Sequence, residues 1–289
     1  MSAVSPAFQR VLPLSSGKSR DSIKFREPGP EVFYEYAEFC LCRQGRRGQD
    51  LAFRGVHPSA RERYPDKKIL AVDADPAVGL SVALDMVPPM TVDDIRMRIA
   101  ENIERGETAD AVSLLSEARF HMTDCIAERG NLSFLAIGRP EAAGCYCKVN
   151  AYLKQVIEMF SDNYDFIVID GEAGIEQINR RVMERITYLV PVSDGSRKAI
   201  SVAQTIADVA SRLVSCERTG MIFNRVRSGF TPPDADELPP VLAVIGDDPN
   251  QTQTDMEGES IFTLPPGSPI LAGAKKALEA LLGEKSESL

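Results

Sequence analysis

Four short segments of this chain carry side chains that could do chemistry. The first is Val72-Asp73-Ala74-Asp75-Pro76, directly after an apolar run. Two acidic groups at a strand's carboxyl end can face a metal-bound phosphate or orient an attacking water. Asp before Pro is also a common helix start, so an N-cap fits the same residues. The second is Phe166-Ile167-Val168-Ile169-Asp170-Gly171-Glu172-Ala173-Gly174-Ile175. An apolar strand ending in Asp can reach Mg2+, usually through water, because magnesium prefers oxygen ligands and keeps part of its hydration shell. Gly171 and Gly174 would let the following loop approach phosphate, although an ordinary strand-to-turn ending has the same pattern.

Gly144-Cys145-Tyr146-Cys147-Lys148-Val149-Asn150 supplies soft ligands instead. Two thiols one residue apart do not easily close a ring together, but they can offer two sulfurs to a metal, and a symmetric dimer would offer four. As free, partly buried thiols they would act as small hydrophobes. Finally, the amide of Asn224, at the end of the apolar run Met221-Ile222-Phe223, can pair with the donor and the acceptor of an adenine edge. It could equally cap a turn.

These residues need a scaffold. Buried strands are expected over Lys68–Asp73, Leu132–Ile137, Phe166–Asp170, Tyr188–Val192, Met221–Asn224 and Val241–Ile245. Helical patterns lie over Val149–Phe160, Ile175–Arg185, Lys198–Leu213 and Ile270–Leu282. Apolar strands alternating with amphipathic helices imply an α/β fold with a mostly parallel sheet flanked by helices. Ligands of such sheets gather beyond the carboxyl ends of the strands, where Asp73, Asp75, Asp170 and Asn224 fall. Before Tyr64 no clear period appears. Residues 1-66 are therefore expected to be an atypical, irregular segment and 67-289 the α/β domain.

A chain of 289 residues, 44% hydrophobic, can bury a substantial core. The net charge of -9 without a long basic run argues against sequence-independent nucleic-acid binding. Apolar runs are too short to span a bilayer, and six sparse cysteines fit a reducing cytoplasm better than a disulfide framework.

Taken in order, Asp-x-Asp-Pro, Gly-Cys-x-Cys-x-x-Asn, Ile-Asp-x-x-Ala-Gly-Ile-Glu and Asn-Arg-Val resemble the carbon monoxide dehydrogenase maturation ATPases, the CooC group of the MinD/ParA/nitrogenase iron protein class of P-loop proteins. The resemblance covers roughly Lys67 to Leu282. It implies that Asp75 is the water-activating switch I residue, Asp170 the Walker B carboxylate, and Asn224 the adenine reader. Asp73 lies beside them, at the cofactor end of its strand. Cys145 and Cys147 match the pair that bridges two subunits and binds metal, Ni2+ or Zn2+ on ligand chemistry. It further implies ATP with Mg2+, a homodimer, and delivery of nickel to a metalloenzyme client such as carbon monoxide dehydrogenase. A nucleotide-insensitive dimer that holds metal or scaffolds a partner is the competing reading; a MinD/ParA-type positioning ATPase is a third.

One family element is missing. Members open with a strand and Gly-Lys-Gly-Gly-Val-Gly-Lys-Thr, whose amides and lysines hold the phosphates. Ser15-Ser16-Gly17-Lys18-Ser19 does not qualify, because the P-loop pattern needs a Gly where Leu12 stands. Arg43-Gln44-Gly45-Arg46-Arg47-Gly48-Gln49-Asp50 occupies the expected place upstream of Asp73. These residues can be encoded as CGG CAA GGG CGG CGT GGG CAA GAC, which read one base later spells Gly-Lys-Gly-Gly-Val-Gly-Lys-Thr. A reading-frame slip upstream of about Arg61 is the expectation, with loss of the first sheet strand and of both phosphate-binding lysines.

Overall fold

The computed structural model describes residues 37–43, 65–74, 79–105, 123–138, 163–171, 185–213, 215–234 and 238–282. All of them belong to the unit Glu35–Leu289. In chain order the strands are β1 (Ala37–Arg43), β2 (Ile69–Asp73), β3 (Ile126–Arg129), β4 (Leu132–Ala136), β5 (Phe166–Gly171), β6 (Arg185–Ser193), β7 (Ser215–Thr219), β8 (Met221–Val226) and β9 (Val241–Gly246). The helices are α1 (Leu80–Leu84), α2 (Val92–Glu104), α3 (Arg197–Leu213), α4 (Pro249–Glu257) and α5 (Pro269–Leu282).

The strands form one sheet in the order β3-β4-β2-β5-β1-β6-β8-β9, with β7 paired to β6. Only β3 runs antiparallel to its neighbour. In β2 and β4 every residue is buried, the mark of a sheet covered on both faces. The two-residue alternation divides the sheet's side chains between two cores. Ile69, Ala71, Leu132, Phe134, Val168 and Ile222 pack with α1 and α5, through Leu84, Ile270, Leu278 and Leu281. Leu70, Val72, Leu135, Ile167, Ile169 and Leu189 pack with α2 and α3, through Val92, Ile95, Ile206 and Ala210. Each fully buried side chain of this size contributes about 1.5–3 kcal/mol.

Local signals fix the helix ends. Ser196 Oγ accepts from Ala199 N at 3.2 Å at the start of α3. In α4, Asp248 is the N-cap, Pro249 stands just inside, and Gly258 closes the C-terminus at φ 68°.

The expected parallel α/β sheet is present, and each of the six anticipated strands forms within a few residues of its anticipated limits. The expectation of an irregular N-terminal segment without a first strand is corrected for residues 37–43. β1 pairs in parallel with β5 on one side and β6 on the other, in the middle of the sheet. The physical reason is that a central strand draws its backbone hydrogen bonds from both neighbours, so it forms without a readable apolar period. The helical pattern over 149–160 lies outside the described residues, as does that over 175–185 except for Arg185, which begins β6 instead, and so does the octapeptide beyond Arg43.

Candidate functional site

Asp73 closes β2 and Asp170 lies one residue from the end of β5, and the two are direct partners across the parallel pair. Leu41 of β1 pairs with Asp170 from the other side. The carboxyl ends of β2, β5 and β1 therefore lie next to one another, and the Arg43 octapeptide starts at that edge. Beyond Asp73 the backbone stays knitted: Ala74 N donates to Asp170 O at 2.9 Å and Ile137 N to Asp73 O at 2.9 Å. Both carboxylates are buried. Asp73 Oδ2 accepts from Leu80 N at 2.9 Å, satisfying a first-turn amide of α1. Asp73 thus ties the end of β2 to the start of α1, and Asp75 lies outside the described residues.

Asn224 is on the same sheet edge, three strands away from Asp170 through β1 and β6. At ~4.8 Å per strand that is a lateral distance of about 14 Å, suited to an extended nucleoside triphosphate. Asn224 is buried, and its Oδ1 has no hydrogen-bond partner among the described residues. A buried acceptor without a donor costs about 1–3 kcal/mol, and an exocyclic amino group would satisfy it. The next residue, Arg225, is left-handed at φ 53°. Its Nη2 meets Asp255 Oδ2 at 2.5 Å, tying the end of β8 to α4. A non-glycine residue in this region is uncommon and collects at functional sites.

Mg2+ and adenine fit this edge: two buried carboxylates side by side at one end, an orphaned acceptor at the other. The octapeptide does not fit the grip on the phosphates, because Gln44 and Gln49 stand where the family loop has its two lysines.

Cys125 is a poor metal ligand. Cys125 is buried and free, and its thiol is pushed up to about 12 by burial and by the charges of Asp94 and Asp124. Cys216 is half-buried. Among the described residues no group of three or more His, Cys, Asp or Glu could hold a metal ion. Cys145 and Cys147 lie outside the described residues. No described helix is long and apolar enough to cross a membrane.

Sequence reasoning missed Gln251, Asp248 and the Arg225–Asp255 pair. The dipeptide Asp248-Pro249 carries a legible helix-start signal. Nothing local marks the other residues, whose importance comes from tertiary contact.

A mostly parallel sheet flanked by helices, with acidic residues at the ends of β2 and β5 and a buried amide three strands away, has the architecture of a P-loop NTPase-type α/β protein. The chain is 30% identical over 227 residues to an uncharacterized ATP-binding protein of Methanocaldococcus jannaschii, covering 75% of this chain and 88% of that protein. It belongs to the same family as that ATP-binding protein, and it shares the fold of the ParA and MinD ATPases. It is also similar to the carbon monoxide dehydrogenase accessory protein CooC of Rhodospirillum rubrum, at 24% identity over 231 residues, 75% of this chain and 86% of that one. Among solved structures, the septum site-determining protein MinD of Pyrococcus horikoshii, complexed with Mg-ADP, shares the fold. Its TM-score is 0.58 at 21% identity, covering 85% of this chain and 96% of that one. No family model matches the chain.

Proposed function

We propose that this protein is built as an ATP-dependent metal-delivery protein that has lost its phosphate grip, so that it binds nucleotide only once Gly-Lys-Gly-Gly-Val-Gly-Lys-Thr stands at 43–50. The single observation that carries the reading is the placement of Asp73, Asp170, Asn224 and the end of β1 along one sheet edge. In this reading Asp170 holds the hydration shell of Mg2+, Asp75 orients the attacking water, and Asn224 reads adenine. Mg2+ supplies charge neutralisation between the phosphates. Two copies form a homodimer around nucleotide, and their Cys145 and Cys147 pairs share the cargo ion, Ni2+ or Zn2+. The similarity to CooC supports a metalloenzyme client such as carbon monoxide dehydrogenase.

A second reading, a nucleotide-insensitive dimer that holds metal or scaffolds a partner, is favoured by the octapeptide. Arg43-Gln44-Gly45-Arg46-Arg47-Gly48-Gln49-Asp50 starts at the last residue of β1, the strand between β5 and β6, yet has no lysine. Mg2+-dependent ATP turnover by a chain carrying Gly-Lys-Gly-Gly-Val-Gly-Lys-Thr at 43–50, abolished by Asp75→Ala, supports the first reading. Metal bound per dimer at an unchanged stoichiometry in Cys145→Ser/Cys147→Ser removes the proposed metal role. The DNA tests the origin of the octapeptide: codons that cannot spell the family loop one base later exclude a slip.

A further inference from the structure

α4 buries an unusual face. Its only buried residues are Gln251 and Thr254, so no apolar side chain holds the helix to the body. A buried polar face is more informative than an apolar one, since each group on it must be satisfied or costs stability. Gln251 is 1% exposed, and its Oε1 has no hydrogen-bond partner among the described residues. Gln251 and Asp255 are four residues apart, hence on one side of α4. Asp255 bonds Arg225, the residue after Asn224, whose Oδ1 is likewise buried and orphaned. The register Phe223↔Val244 and Val226↔Gly246 brings the segment entering α4 beside Asn224. Two acceptors lacking donors therefore flank the junction of β8 with α4.

We propose that Gln251 is a second base-reading residue, which with Asn224 selects a nucleobase bearing an exocyclic amino group. Such a group at position 6 of a purine has two hydrogens, one for each oxygen, whereas the 6-oxo group of inosine puts a third acceptor in its place and cannot satisfy the pair. Both oxygens are fully covered, so the base enters as α4 shifts outward. The polar attachment of α4, through Asp248 and the Arg225–Asp255 pair, permits this shift without exposing apolar surface. The proposal rests on the reading of Asn224 as the base-reading amide. It does not depend on the phosphate grip.

The test uses the full chain with adenosine and inosine, which carry no phosphate, at millimolar concentration in saturation-transfer NMR, alongside thermal melts. The expected result is saturation of adenosine with a preference over inosine of about tenfold or more, falling by about tenfold in Gln251→Leu. The melting temperature of Gln251→Leu should match or exceed that of the parent, because an unsatisfied buried acceptor has been removed. Absence of adenosine saturation in the parent, equal signals from the two nucleosides, an undiminished preference in Gln251→Leu, or a much lower melting temperature overturns the proposal. Lack of ATP turnover in the loop-replaced chain would overturn the proposed function without affecting these readouts.

Discussion

Replacing Asp248 should destabilise two helices at once. Its Oδ1 accepts from Asn250 N at 3.0 Å and Gln251 N at 3.4 Å, capping α4. Its Oδ2 accepts from Ser268 Oγ and from Ile270 N at 3.3 Å, capping α5. Asp248→Asn keeps an acceptor for α4 but turns an NH2 towards the α5 donors. A cap is worth about 1 kcal/mol and a hydrogen bond to a charged acceptor about 1.5–3, so the loss is about 2–3 kcal/mol. Asp248→Ala removes both caps and costs about 4 kcal/mol by the same terms. For a chain of this size, Asn should lower the melting temperature by roughly 5–10 °C. Burial pushes the Asp248 carboxyl up, but hydrogen bonds from Ser268, Ile270, Gln251 and Asn250 outweigh it and hold the pKa below the ordinary carboxylate value. A depressed folded pKa gives stability that is complete above the unfolded value of ~3.9 and lost as pH falls through the folded value. Calorimetric melts of parent and Asp248→Asn should therefore differ fully at neutral pH and converge only in acid. Equal melting temperatures at neutral pH, or a gap that widens on acidification, would refute the double cap.

Other expectations follow from packing and burial. Gly273 in α5 sits where a Cβ would lie 2.3 Å from Ile245 Cγ1, so Gly273→Ala should destabilise by about 1–3 kcal/mol despite alanine's helix preference of about 1 kcal/mol; a denaturant midpoint raised by the substitution contradicts this packing. Gly195 combines φ +79° with a Cβ position 2.7 Å from Phe230 Cε2. Gly195→Ala should cost about 1–3 kcal/mol through strain and repacking, read from the same denaturant titrations. Cys125, with its thiol pushed up to about 12, should resist iodoacetamide in the folded protein at neutral pH and react on unfolding, as followed by mass spectrometry.

Much of the fold was legible from continuous apolar runs. β2, β4 and β5 are runs of apolar residues because both faces of the sheet are covered. β1 was not legible, because Ala37–Arg43 alternates no clear apolar face and its place depends on β5 and β6, distant in sequence. β7 is polar and lies at a branch of the sheet, and α4 packs through polar residues, so neither carries a hydrophobic period. Asp73, Asp170 and Asn224 could be placed on one sheet edge from the sequence, because the carboxyl ends of parallel strands gather there. Gln251 could not, since its significance comes from an unpartnered oxygen visible only after folding.

Calorimetric titration with Mg-ATP of the chain as it stands, and of the chain with Gly-Lys-Gly-Gly-Val-Gly-Lys-Thr at 43–50, tests the central claim most directly. A MinD/ParA-type edge without its phosphate grip gives no detectable binding in the first and micromolar binding in the second. Micromolar binding by the unaltered chain, or none by the altered one, would contradict it.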